Sequence, residues 1–154
     1  MSLMRVISAV SLLFAAMAAN ADFEPWKDYE ISEEVYLVTT IKVDSNMEDV
    51  YLEGISRTWI PSNEVAKELG QIKDYAIYRN QLPDSGDFNM ILTITLHSAA
   101  DMQFSKERYD AFMRAIVEEM GEQAVDESNE FAQQNYPAMR EITGEYMMRR
   151  ITVN

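Results

Sequence analysis

The chain has 154 residues, no cysteine and a net charge of −13. Disulfides, thiolate nucleophiles and cysteine zinc sites are therefore excluded, and so acidic a surface, with no basic stripe, repels phosphate backbones and anionic membranes. The acidic excess favours solubility and names no partner.

The opening stretch MSLMRVISAVSLLFAAMAANA has a positive residue at Arg5, an apolar run over 6–18 and a small-x-small site at Ala19-Asn20-Ala21. This tripartite pattern predicts a secretory signal peptide over 1–21, cleaved after Ala21, because the apolar run is too short to span a bilayer. The product is expected to be a bacterial periplasmic or secreted protein, with no membrane span after cleavage. The remaining residues divide into a polar arm over 22–34 and one domain over 35–154. The arm carries Pro25, and Trp26 and Tyr29 are expected to pin it to the surface.

VYLVTTIKV, residues 35–43, is β-branched and aromatic with little polarity on either side, the pattern of a central strand. Ser45 or Asn46 is placed to cap the next helix, with Glu48 and Asp49 in its first turn, where the helix dipole favours acids. Met47, Val50, Tyr51, Ile55 and Trp59 recur at helical spacing. Pro61 interrupts, Ser62 restarts a short helix with Val65, Ala66 and Leu69 inward, and Gly70 closes it.

Residues 73–82 read as a second strand and 88–97 as a third. PDSGD between them is dense turn chemistry, which predicts a hairpin. Ser105 opens the clearest helix, with Tyr109, Phe112, Met113, Ile116, Val117 and Met120 on one stripe and Gly121 at its end. The polar stretch 122–140 predicts a short helix around 130–134 closed by Pro137, and 145–153 reads as the last strand.

The order β-α-β-β-α-β predicts an α+β domain of the split βαβ, ferredoxin-like plan. Its four-stranded antiparallel sheet carries both helices on one face. Neither alternating set on the strands is cleanly polar: Val35, Leu37, Thr39 and Ile41 oppose Tyr36, Val38, Thr40 and Lys42. Helices cover one face, so the other is left too apolar for water, and a second copy of the sheet is the most economical cover. A homodimer is expected.

Over 35–153 the element order, the interrupted first helix with Trp59 and the PDSGD hairpin resemble the dimeric α+β barrel proteins, in which two ferredoxin-like sheets stack face to face. That group includes antibiotic-biosynthesis-type monooxygenases, haem-handling enzymes, stress-responsive proteins and members without known activity. The resemblance implies a fold and leaves the activity open.

His97 is the lone histidine and ends the third strand on the face of Thr93 and Thr95. Enclosed, it suits acid/base work or axial haem ligation; otherwise it is a polar strand end. Tyr36, Trp59 and Tyr78 are candidates to line an apolar pocket with Thr93, Thr95 and His97, and they are equally candidates for packing. Arg79, Arg149 and Arg150 suit an anion or cross-strand pairing with acids. One histidine and no cysteine exclude the usual zinc sets, the acids of 118–130 lack calcium-loop spacing, and the methionines read as core filler rather than a copper site. No metal and no cofactor is assigned. Two functions stay open: a module binding a small apolar ligand or serving structure, and a cofactor-independent or haem-linked monooxygenase-like enzyme using His97 in a cavity between the sheets.

Overall fold

In the computed structural model, which describes residues 23–82 and 86–154, the chain forms β1 (Tyr29–Ile31), β2 (Val35–Val43), α1 (Glu48–Arg57), α2 (Trp59–Glu68), β3 (Asp74–Arg79) and β4 (Met90–Leu96). A 3₁₀ turn (Ala99–Met102) then leads to α3 (Lys106–Met120), α4 (Glu122–Met139), β5 (Arg140–Met148) and β6 (Ile151–Val153). Residues 1–21, where a signal peptide is predicted, and residues 83–85 of the PDSGD turn lie outside the described residues. Gly86, within that turn, has φ 86°, a left-handed position that suits glycine. No helix among the described residues is long and apolar enough to cross a membrane.

The stretch without a polar face lies inside the sheet. β2 pairs antiparallel with β4 from Val35↔Leu96 to Ile41↔Met90, and with β5 from Tyr36↔Met148 to Val43↔Arg140. β3 adds to β4 from Asp74↔Thr95 to Arg79↔Met90, giving the order β3-β4-β2-β5. This is the ferredoxin-like arrangement, with each helical segment of the predicted order doubled.

The core follows from the strand period of two. Ile41, Val43, Met90 and Leu92 point to the helical side and pack against Tyr51 and Ile55 of α1 and Tyr136 and Met139 of α4. A smaller cluster joins Val35 and Leu96 to Ile72, with Leu37, Ala66 and Ile94 around it.

Helix starts and ends depart from the sequence-based expectation in several places. Neither Ser45 nor Asn46 caps α1: Asn46 sits at φ 66° in a left-handed turn, so Met47 takes the N-cap position without a side-chain cap. Glu48 and Asp49 do occupy the first turn. The helix break falls at Thr58, so α2 starts at Trp59, ahead of Ser62. Pro61 is then in a first turn, where its missing N–H has no intrahelical partner to lose. Gly70, at φ 65°, ends α2 in a Schellman motif: its N–H donates to Lys67 C=O (2.9 Å) and Gln71 N–H donates to Ala66 C=O (2.8 Å).

α3 begins at a Ser105 cap and stops at Gly121, as its periodicity predicts. Its stripe, however, is not a core face. Only Ile116 is buried, Tyr109 and Val117 are exposed, and α3 packs on α2 and α4. The sheet-facing place goes to α4, one long helix over Glu122–Met139 where a short one around 130–134 is predicted. Pro137 does not close it early, because a proline this near the C-terminus removes one bond from a helix already ending.

β5 begins at Arg140, five residues before the predicted start, and a bulge at Thr143 resets its alternation. The last predicted strand breaks at Arg149-Arg150, and its tip becomes β6. The arm over 22–34 contains a strand that its polarity hid. β1 pairs with β6, and Trp26 and Tyr29 lean on each other, 5.6 Å between ring centres, with Trp26 largely exposed.

Candidate functional site

Because α3 rests on α2 and α4, a gap remains between its first turns and the sheet. The result is a cleft of about 430 Å³, floored by Leu37, Ile94 and Leu96, walled by Ala66 and Ile72, and roofed by Tyr109 and Phe112. Met102 and Phe104 form its lip, and Phe104 stands fully in solvent. A concave, mostly apolar space of this size with a few polar groups is the usual form of a small-molecule site.

The polar groups gather at one end. Asp101 is held by Ser98, which caps the 3₁₀ turn: Ser98 Oγ accepts from Ala100 N–H (3.2 Å) and Asp101 Oδ2 accepts from Ser98 N–H (3.4 Å). The same Oδ2 accepts from His97 N–H (2.9 Å) and lies 3.1 Å from His97 Nδ1. Its other oxygen faces Arg108 Nη1 at 3.7 Å. Burial pushes the Asp101 carboxyl up, but the hydrogen bonds from His97 and Ser98 outweigh it and hold the group below the ordinary carboxylate value. Arg108 Nη2 donates to Gln71 C=O (3.1 Å) and Gln71 Nε2 donates to Arg108 C=O (2.9 Å), a reciprocal brace between the end of α2 and the start of α3.

None of the six residues singled out in the sequence lines this cleft. Tyr36, Tyr78, Thr93 and Thr95 share the opposite, helix-free face of the sheet with Val38, Ile91, Tyr146 and Met148. Two rungs run across it: Ala76–Thr93–Val38–Tyr146 and Tyr78–Ile91–Thr40–Gly144. Both are free of charge. Tyr36 donates to Glu34 Oε2 (2.7 Å), a bond that raises the Tyr36 phenol, while the Lys73 ammonium on the other oxygen lowers Glu34. Trp59 lies on the helical side, edge-on to Tyr75 at 5.2 Å. His97 is exposed, one residue beyond β4, and its ring nitrogen meets Asp101. Arg79 pairs with Glu48 (2.5 Å), and Arg149 Nε donates to Ser32 C=O (2.6 Å).

The residues that build the cleft carry little sequence signal of chemistry. The Tyr109–Phe112 stripe reads as core, and Met102-Gln103-Phe104 reads as loop. An aromatic and a methionine in a short loop before a helix cap were the available hint.

No protein-family model matches the chain, and no curated protein matches it. Among solved structures it is similar to HapK from Hahella chejuensis, at 12% identity over 75% of this chain and 91% of that one, with a TM-score of 0.41. It is also similar to a dimeric ferredoxin-like protein of unknown function from Thermobifida fusca, at 8% identity over 79% and 92% of the two chains, with a TM-score of 0.38. A dimeric protein of unknown function and ferredoxin-like fold from Bacteroides fragilis matches at 9% identity over 81% of this chain and 100% of that one, with a TM-score of 0.39.

Proposed function

We propose that this chain is an exported homodimeric binding module that holds a small apolar molecule in the cleft under α3. The observation that carries the reading is the cleft itself: about 430 Å³ of apolar wall with Asp101, Arg108 and Gln71 at one end. Water gains little from such walls, so an apolar guest is favoured there in proportion to the area it covers, and the polar end fixes its orientation. The helix-free sheet face supports the dimer. Its central rungs offer Val, Ile, Thr and Tyr with no charge, and a second copy covers it by the same residues. The pattern of residues 1–21 supports export.

The test is a titration of the mature chain with the neutral probe N-phenyl-1-naphthylamine, alongside Ala66→Phe, which fills the cleft from α2. Saturable binding in the wild type that is lost in the variant, with its melting temperature kept, is the expected result. Absent binding, or binding unchanged by the variant, sinks the reading.

A rival reading has one observation in its favour. Asp101 engages His97 Nδ1 at the rim of the cleft, which directs Nε2 outward as the imidazole nitrogen available for proton transfer or haem ligation. That enzyme predicts haem or aromatic-substrate spectra that change with the wild type and not with His97→Ala.

A further inference from the structure

We infer that the β1–β6 ribbon is an exchange arm, whose apolar side lies on the second copy of this chain in the homodimer; the inference rests on the dimer proposed above. The two strands have three residues each, paired Tyr29↔Val153, Glu30↔Thr152 and Ile31↔Ile151. Alternation puts Tyr29, Ile31, Ile151 and Val153 on one side and Glu30 and Thr152 on the other. Ile151 is 59% exposed and Val153 66%. Phe23 stacks on Tyr29, ring centres 5.8 Å apart, and Trp26 leans on the same ring while 74% exposed.

A two-stranded ribbon this short does not hold itself together in water, and a contiguous apolar patch of aromatic and β-branched residues is not left bare without a use. Yet the arm has a built shape. Asp28 accepts from Glu24 N–H (2.7 Å), Asn154 N–H donates to Asp28 C=O (2.9 Å), and Asn154 Nδ2 donates to Lys27 C=O (3.2 Å). Trp26 is held at φ 68°, a backbone state that a tryptophan adopts only under constraint. The segment is organised to present its rings.

Position points to a second copy as the cover. The ribbon prolongs the β2–β5 pair, joined to it by Ser32 N–H donating to Arg150 C=O (2.8 Å), so it starts where the helix-free sheet face ends, and whatever covers that face meets the ribbon next. Arms exchanged about a two-fold axis come in identical pairs, which satisfies both chains at once.

The chain has two tryptophans, so Trp59→Phe leaves Trp26 as the sole reporter. Sedimentation and Trp26 emission are followed together through dilution, in this background and with Val38→Asp or the pair Ile151→Ser/Val153→Ser added. The expected result is blue-shifted Trp26 emission, poorly quenched by acrylamide, that turns red as the dimer parts. The paired variant is expected to weaken the dimer by about tenfold or more. A dimer with freely quenched Trp26 that ignores the paired variant overturns the arm and leaves the sheet interface standing. A dimer that survives Val38→Asp but falls apart in the paired variant supports the arm and overturns the sheet interface. A monomer at every concentration overturns both. The emission measurement needs no change to the ribbon, so it decides even if the paired variant misfolds.

Discussion

The Asn89 side chain pairs with the Val43 backbone as a neighbouring strand residue would. Val43 N–H donates to Asn89 Oδ1 and Asn89 Nδ2 donates to Val43 C=O, both at 2.8 Å, while Asn89 N–H donates to Ile41 C=O at 3.0 Å. Asn89 and Val43 are both buried. The amide thus extends the β2–β4 ladder by one rung, and it does so at the end of the main core.

Asn89→Ala strands the Val43 N–H and C=O away from water. Leaving such groups unpaired costs about 2–3 kcal/mol, well above the net worth of a satisfied bond, so the midpoint of urea unfolding should fall clearly. Asn89→Asp keeps an acceptor for Val43 N–H but sets a carboxylate against Val43 C=O. It should be at least as destabilising at neutral pH and recover on acidification, when the carboxyl becomes a donor. Equal stability of all three forms by denaturant titration would remove the rung from the account.

Gly54 lets α4 close on α1. A methyl group there would lie 2.7 Å from the Phe131 ring and 3.2 Å from that of Tyr136. Two effects oppose each other in Gly54→Ala: helix propensity gains about 1 kcal/mol, and overpacking costs about 1–3 kcal/mol. Overpacking should win, because Phe131 is itself held edge-on by Tyr136, ring centres 5.8 Å apart. The expected outcome is a net loss of about 1 kcal/mol, restored in Gly54→Ala/Phe131→Leu. A thermal melt that rises with the single substitution contradicts the crossing.

Tyr51 is fully buried, with its hydroxyl accepting from Arg140 Nη1 (2.9 Å) and the guanidinium also set over the Tyr136 ring at 4.7 Å. Burial drives its phenol up to about 12, against the opposing pull of Arg140. A folded-state value above the unfolded one means that stability is whole below pH 10 and is lost as pH rises through 10 to 12. Tyr75 is also raised to about 12, so ultraviolet titration should show a late tyrosine phase that Tyr51→Phe diminishes by one group rather than abolishes. Unfolding free energy should drop across that window less steeply in the variant.

The fold was legible where local chemistry and tertiary role agree. The β-branched and aromatic run of β2 reads as a central strand, and it does lie between β4 and β5, while the limits of α3 follow from Ser105 and Gly121. It was illegible where a distant partner decides. β1 exists because residues 151–153 reach it, and nothing within residues 29–31 announces that. β5 hides its start because the bulge at Thr143 breaks the period of two, and its Arg140-Glu141 opening looks polar. The cleft was illegible for a related reason. Tyr109 and Phe112 carry the same stripe whether α3 meets the sheet or stands off from it, and only the placement of α4 decides between them.

Asp101 ties the rim of the cleft together, so its removal should be felt by a guest before it is felt by the fold. Contacts from His97 and Ser98 converge on Oδ2, and Arg108 approaches Oδ1. Asp101→Asn keeps one carbonyl acceptor but places a donating amide near N–H groups or near Arg108, whichever way it turns. The 3₁₀ turn and its lip, Met102 and Phe104, should loosen, with a loss of about 1–2 kcal/mol in stability and a larger proportional loss of probe affinity. The pH signature has a fixed sign. The folded carboxyl titrates below its ordinary value, so its contribution is present above the unfolded value and disappears as pH falls through the folded one. Wild-type stability should therefore decline on acidification more than that of the variant. Parallel acid curves for the two proteins, with equal probe affinity, would leave Asp101 without the anchoring role that its contacts assign.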